Sequence, residues 1–322
     1  MSFRPTEEQR ELQSGVRAFC EARLGLERIR TLEGSGFAAD LWRELAEMGV
    51  FGLRLGSDAG GMGLGAAEAV LVFEELGRAL APGPLVWTHL AAGLVPGAAA
   101  GEVVVGGLDL IGAHDGALLI EHREALDVLI VLREDGVHRV DIASLGGKPV
   151  AMPLDPLTPV HQIESLPRGD RIGSPEDARA LRTLGAALTA AAQLGVAEAT
   201  HDLGVAYAKV REQFGRAIGS FQAIKHMLAD SFVRQEVARA SVYAAGATLD
   251  HPEVGPVAQA VSGAKINAGE AAMKNARTCI QVHGGMGYTW EVPAHYYYKR
   301  AWVLEQSFGT ATEHAEAIGA EI

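Results

Sequence analysis

Two polar islands interrupt otherwise apolar, helix-patterned sequence in the second half of this 322-residue chain. The first, YAKVREQFGRAIGSFQ at 207–222, gathers Arg211, Gln213, Phe214 and Gln222 around Gly215 and Gly219. Arginine meets phosphate with a planar fork of donors, a phenyl ring packs on another ring, and helix breaks free backbone N–H groups. A phosphate-bearing ligand with a ring would use that combination. A solvated helix end with Phe214 turned into the core would use the same residues, and both readings stand. The second island, QVHGGMGYTW at 281–290, sets Gln281 ahead of Gly284, Gly285 and Gly287. Each glycine costs about 1 kcal/mol in a helix interior, so a helix ends there, and Gly-Gly lets a backbone or ligand approach closely.

The elements that carry these islands are helical. Ala178 to Ala197 holds no acid and consists largely of Ala, Leu, Gly and Thr, the pattern of a helix buried in a bundle or an interface. Its small residues Gly185, Ala186, Ala187, Ala190, Ala191 and Ala192 read as tight helix packing, or as room for a bulky group. Helices continue through FQAIKHMLADSFVRQEVARASVYAAGATL and SGAKINAGEAAMKNARTCI. The N-terminal hundred residues are helical too, with Thr6 capping a first turn that carries Glu7 and Glu8. The glycine-rich loop GSDAGGMGLG lacks the Lys-Ser/Thr of a phosphate loop and reads as a tight interhelical turn. Between 102 and 163, EVVVG, ALLIE, DVLIVL and HRVDI are short Val/Ile-rich runs with turn chemistry between them, which is strand and hairpin material. The expected fold is mainly α with a small central β domain, in the order 1–101 helical, 102–174 β, 175–322 helical bundle.

Composition narrows the partners. The formal charge of −12 argues against nucleic acid or an anionic membrane as the main partner. The two cysteines, Cys20 and Cys279, lack CxxC spacing and read as buried small side chains rather than a disulfide or metal site. No secretory leader and no uninterrupted apolar span of membrane length is visible, so a cytoplasmic protein without a membrane segment is expected.

REQFGRAIGSFQAIKHMLAD followed by QVHGGMGYTWEVPAHYYYKRA resembles the paired signature of the acyl-CoA dehydrogenase family. LWRELAEMGVFGLRLGSDAGGMGLG and FEELGRALAPGPL resemble the same family's first domain, so the likeness covers nearly the whole chain. It implies N-terminal helices, a central β domain and a C-terminal four-helix bundle. It also implies FAD, an acyl-CoA substrate dehydrogenated between Cα and Cβ, and an electron acceptor such as electron-transfer flavoprotein. In the family the two islands reach across a dimer interface to the ADP portion of a neighbour's FAD. Carried over, those cofactor-binding roles fall on Arg211, Gln213, Phe214, Gln222, Gln281, Gly284 and Gly285.

The chain departs from the family at the catalytic base, usually a glutamate just before a Gly-Thr pair. Here Phe308 precedes Gly309-Thr310. The alternative base position of some members falls near Gly185, inside the acid-free stretch. No catalytic residue is therefore assigned; Glu305, one helical turn before Phe308, is the nearest rescue candidate and reads as a polar residue of its helix. Glu198 and Asp202, on one helix face with His201 between them, read as a solvated or interface face. The β region also lacks the T-E-P…G-S-D and aromatic-Ile-Thr segments that hold the flavin ring. That combination resembles the shorter subunit of actinobacterial heteromeric dehydrogenases of steroid side-chain degradation, with a longer partner chain in an α2β2 heterotetramer. A homomeric enzyme using Glu305, or a non-enzymatic scaffold of the same fold, would be the other outcomes.

Overall fold

The computed structural model describes residues 3–112 and 116–320. The N-terminal helices are α1 (Glu7–Arg23), α2 (Leu26–Thr31), α3 (Ala39–Glu47), α4 (Ala66–Arg78) and α5 (Leu85–Ala91). Strands β1 (Val105–Asp109), β2 (Leu118–Glu121), β3 (Val128–Arg133), β4 (Gly136–Asp141), β5 (Lys148–Pro149), β6 (Val160–Ile163) and β7 (Asp170–Gly173) follow. Then come α6 (Pro175–Val210), the short strands β8 (Glu212–Gln213) and β9 (Arg216–Ala217), α7 (Gln222–Asp250), α8 (Val257–His283), α9 (Ala294–Glu305) and α10 (Ala311–Ala320). Thr6 caps α1 as expected, in a reciprocal capping box with Gln9.

The chain divides into two compact units, each built from separate stretches of sequence. One comprises residues 27–69 and 82–185 and contains both larger sheets. Their strand orders are β1-β3-β4-β7 and β2-β6-β5, with β1 and β3 parallel and the other pairs antiparallel. Strand β3 reads VLIVLR and is buried over its first five residues, which accounts for its unbroken apolar run. Helix α5 is tied to the sheet by Thr88, whose hydroxyl donates to the Val105 carbonyl and accepts from the Val105 N–H, both at 3.0 Å. Trp87 lies against Gly107, where an added Cβ would fall 2.1 Å from the indole.

The other unit comprises residues 1–26, 70–81 and 186–322. Its core is alanine-rich: Ala186, Ala187, Ala190, Ala191, Ala197, Ala264, Ala268 and Ala272 are all buried. The small residues of α6 serve close packing. An added Cβ at Gly195 would lie 2.0 Å from the Glu74 carbonyl oxygen and 2.4 Å from the Arg78 nitrogen. One at Gly77 would lie 2.2 Å from the Ala192 carbonyl oxygen. Backbones of α4 and α6 therefore touch, and nothing larger than glycine fits between them. Helix α6 is the one described helix long and apolar enough to cross a membrane, and 78% of that stretch is buried within the protein. Cys20 and Cys279 are buried free thiols, and burial pushes both up to about 12.

Candidate functional site

Helix α6 ends at Val210, and the chain turns through a two-residue hairpin before α7. The turn residues are Phe214 at φ +54° and Gly215 at φ +77°, both left-handed, as the tight turn between twisted antiparallel strands requires. Glycine adopts that geometry freely, whereas for Phe214 it costs about 1–2 kcal/mol. The strained ring is not sheltered: Phe214 is 92% exposed, meeting Phe221 edge-on at 6.1 Å. It is thus neither in the core nor relaxed. Behind it the Arg216 guanidinium sits 4.2 Å from the centre of the Phe221 ring.

Both islands meet here. A cavity of about 580 Å³ is lined by Arg211, Gln213 and Phe214 from the hairpin side and by Gly284 and Gly285 from the end of α8. The Arg211 side chain has no hydrogen bond or ion pair among the described residues, so a donor-only fork stands ready in the cavity wall. An added Cβ at Gly284 or Gly285 meets no protein atom within 4 Å, so the space beside this pair is left open. Gln222 and Gln281 are exposed and do not line the cavity; Gln281 instead accepts the capping N–H of Gly284 with its carbonyl. Among the lining residues that escaped sequence reasoning are Tyr207, Phe221 and His283. Tyr207 lies one helical turn before Arg211, and His283 lies between Gln281 and Gly284, so both were adjacent to the signal. The wall is thus one unpaired cation set in aromatic and aliphatic surface, suited to a ligand with an anionic part and a flat ring.

The segment 305–314 has a different chemistry. Thr310 and Glu313 form a capping box at the start of α10: the Glu313 carboxylate accepts from the Thr310 N–H at 2.7 Å, and the Thr310 hydroxyl accepts from the Glu313 N–H at 3.2 Å. Glu305 Oε1 accepts from the Ala311 N–H at 2.8 Å, and its Oε2 accepts from Gln193 Nε2 at 3.3 Å. Lys265, fully buried, donates to the carbonyls of Leu304 at 2.9 Å and Glu305 at 3.4 Å, and burial pushes its ammonium down to about 8. Phe308 is buried at φ +55°. Both oxygens of Glu305 are occupied by the scaffold.

A third polar group corrects the sequence reading. Glu198 is buried rather than solvated. It meets Arg78 at 2.9 Å, Arg17 at 3.3 Å and Arg239 at 3.5 Å, so α6 is joined to α1, α4 and α7. Arg17 also binds Glu75 in a fork, at 2.7 and 2.8 Å. Glu74, with no exposed surface, accepts from the Tyr243 hydroxyl at 2.8 Å and from Gln13 at 3.0 Å. Its burial pushes the carboxyl up to about 8. Sequence periodicity gave no sign of this network, because its arginines come from three different helices.

Residues 6–102 match the acyl-CoA dehydrogenase N-terminal domain, and residues 179–322 match the acyl-CoA dehydrogenase C-terminal domain. The chain belongs to the acyl-CoA dehydrogenase family. Members of this family are oxidoreductases that generally use FAD, and the helical and β elements described above are the acyl-CoA dehydrogenase fold. The acyl-CoA dehydrogenase IpdE2 of Mycolicibacterium smegmatis is 33% identical over 98% of this chain and 99% of its own length. Among solved structures, the ChsE4-ChsE5 complex from Mycobacterium tuberculosis superposes with a TM-score of 0.87 at 26% identity, covering 100% of this chain and 98% of that one. A variant of the Tcur3481-Tcur3483 steroid acyl-CoA dehydrogenase superposes with a TM-score of 0.84 at 26% identity, covering 98% of this chain and 97% of that one.

Proposed function

We propose that this acyl-CoA dehydrogenase chain is a base-less subunit of a heteromeric enzyme, completing the FAD site of a second, longer dehydrogenase chain in an α2β2 assembly. The observation that carries the reading is the state of the 305–310 segment. Oxidation between Cα and Cβ of an acyl-CoA requires a carboxylate to take the α-proton. At the position before Gly309-Thr310 stands the buried ring of Phe308, and the nearest carboxylate, Glu305, already accepts from Ala311 and Gln193. A group held by two donors in its scaffold is poorly placed to serve as a mobile base.

The cradle supports the second half of the reading. Arg211 would pair with a diphosphate, and Phe214, strained yet exposed, would stack on or beside adenine, with Gly284 and Gly285 leaving room for the nucleotide. Bound FAD would supply the hydride acceptor, and electron-transfer flavoprotein or a similar acceptor would reoxidise it. This chain's part is to hold the flavin's adenosine end.

A partner is supported by the outer face of α7, where Phe232, Val233 and Val237 are all exposed on consecutive turns. It is supported also by the likeness to ChsE4-ChsE5 and Tcur3481-Tcur3483, each named for two chains. The steroid named for the second makes a steroid side-chain CoA thioester the proposed acyl group. We place the domain boundaries near 101 and 174.

Co-purification from the native host followed by flavin quantification tests this. The chain alone should be colourless, with about one FAD per unlike pair in the complex, and Glu305→Gln should leave turnover within a few-fold. A flavin-replete, active homomer inactivated by Glu305→Gln would overturn the reading, and a complex that never takes up flavin would point to a scaffold.

A further inference from the structure

His283 is the last residue of α8 and lines the cradle, yet only 7% of it is exposed. Two contacts fix its ring. Nδ1 lies 2.8 Å from the Cys279 carbonyl oxygen, an acceptor only, so Nδ1 carries the proton. The ring stacks on Tyr207 at 4.2 Å between centroids and 25° between planes. Nε2 is left bearing a lone pair and has no partner among the described residues. With Nδ1 committed and the ring held on Tyr207, Nε2 is the polar atom of this side chain left open to a ligand's donor in the cavity.

Resting on the reading that this cavity takes the adenosine diphosphate end of FAD, we propose that His283 Nε2 is a ligand contact, accepting a hydrogen bond from the adenine amino group or a ribose hydroxyl. The chemistry of the wall favours the nucleoside over the diphosphate as its partner. Phosphate oxygens are acceptors and would repel a lone pair, whereas Arg211, the charged residue lining this cavity, offers only donors and suits them. His283 shares the wall instead with Val282, Tyr207 and Met286, an apolar setting suited to a base or a sugar edge. Adenosine thus meets one acceptor and aromatic surface, and the diphosphate meets the guanidinium.

The test is FAD retention by the chain purified with its partner subunit, measured by absorbance after dialysis. His283→Phe keeps an aromatic ring for Tyr207 and removes the acceptor; it should weaken retention about five- to tenfold. His283→Gln, whose side-chain carbonyl accepts a hydrogen bond, should recover most of that loss. Competition by ADP and inosine diphosphate separates the two donors: ADP outcompeting the inosine nucleotide only in the presence of His283 assigns the amino group, and equal competition assigns the ribose. Flavin held as tightly by His283→Phe as by wild type would overturn the proposal. Arg211→Ala separates this failure from that of the cradle itself: if Arg211→Ala releases flavin while His283→Phe does not, only the histidine assignment falls, and if neither does, the cradle reading falls with it.

Discussion

The carboxylate of Glu305 caps a helix that begins six residues after it, accepting the Ala311 N–H at 2.8 Å. The first N–H groups of a helix have no partner inside it, so this bond supplies one that the Thr310–Glu313 box leaves over. Glu305→Gln keeps a carbonyl oxygen at the same reach and should shift the melting temperature little. Glu305→Ala should cost about 0.5–2 kcal/mol, as other lost caps do. Thermal unfolding of the two variants distinguishes a cap from a catalytic base: a base would show in turnover of both variants and in the stability of neither.

Gly269 is the neighbour that makes room for that carboxylate. A Cβ there would lie 2.5 Å from Glu305 Oε2. Because the obstructed atom is the end of a side chain, Gly269→Ala should displace the carboxylate rather than break the helix. Its cost should resemble that of Glu305→Ala, and the double variant should be no worse than either single one. Additive losses would show that the two residues act separately.

At Gly195 the obstruction is backbone, and the expected outcome is different. Alanine favours a helix interior over glycine by about 1 kcal/mol, but a Cβ at 2.0 Å from the Glu74 carbonyl oxygen cannot be accommodated without moving α4. Sterics should win: Gly195→Ala should destabilise by about 1–3 kcal/mol, as overpacking does, and be visible in denaturant midpoints. An unchanged or raised midpoint would show that α4 and α6 do not approach so closely.

On the proposed reading, Phe214 sets stability against ligand holding. Asparagine tolerates the left-handed φ of +54° better than phenylalanine does. Phe214→Asn should therefore leave the protein as stable or slightly more so, while FAD retention by the complex falls. A variant that loses stability and keeps its flavin would show that the ring serves the fold instead.

Glu74 predicts how stability depends on pH. Burial raises its carboxyl to about 8, well above the ordinary carboxylate value of about 4.3 that it regains on unfolding. Between those values the folded state binds more protons than the unfolded one, so stability should fall as pH rises through that window and level off above it. Glu74→Gln retains an acceptor for Tyr243 and Gln13 and carries no titrating proton. Its melting temperature should decline less than that of wild type from pH 5 to 8; equal slopes would remove Glu74 as the cause.

What the sequence disclosed and what it hid follow from the range of the interactions. The Thr6 cap, the helix break at Gly284 and the apolar run of β3 are local, and their residues announce them. Arg211, Phe214 and the glycine pair were legible because special residue types cluster there. Gln222 and Gln281 belong to the same clusters but do not line the cavity, since neighbours in sequence on a helix do not share a face. His283 and Tyr207 carry no special signal until their stacking is seen. The burial of Glu74 and Glu198 depends on Arg239 and Arg17, far away along the chain, and FEELG read alone is an ordinary polar helix end.

Those distant arginines also set an order of events during synthesis. Arg17 leaves the ribosome early, but the compact unit that contains it draws on residues 1–26, 70–81 and 186–322. At roughly 5–20 residues per second, α1 waits about ten seconds or more for Glu198 and Arg239, and still longer for α9. During that time Val16 and Cys20, later buried, lack the part of their unit contributed by residues 186–322. A nascent chain stalled before α8 should therefore keep α1 more protease-accessible and engaged by chaperones, and release of the C-terminal helices should let α1 settle fully into its place.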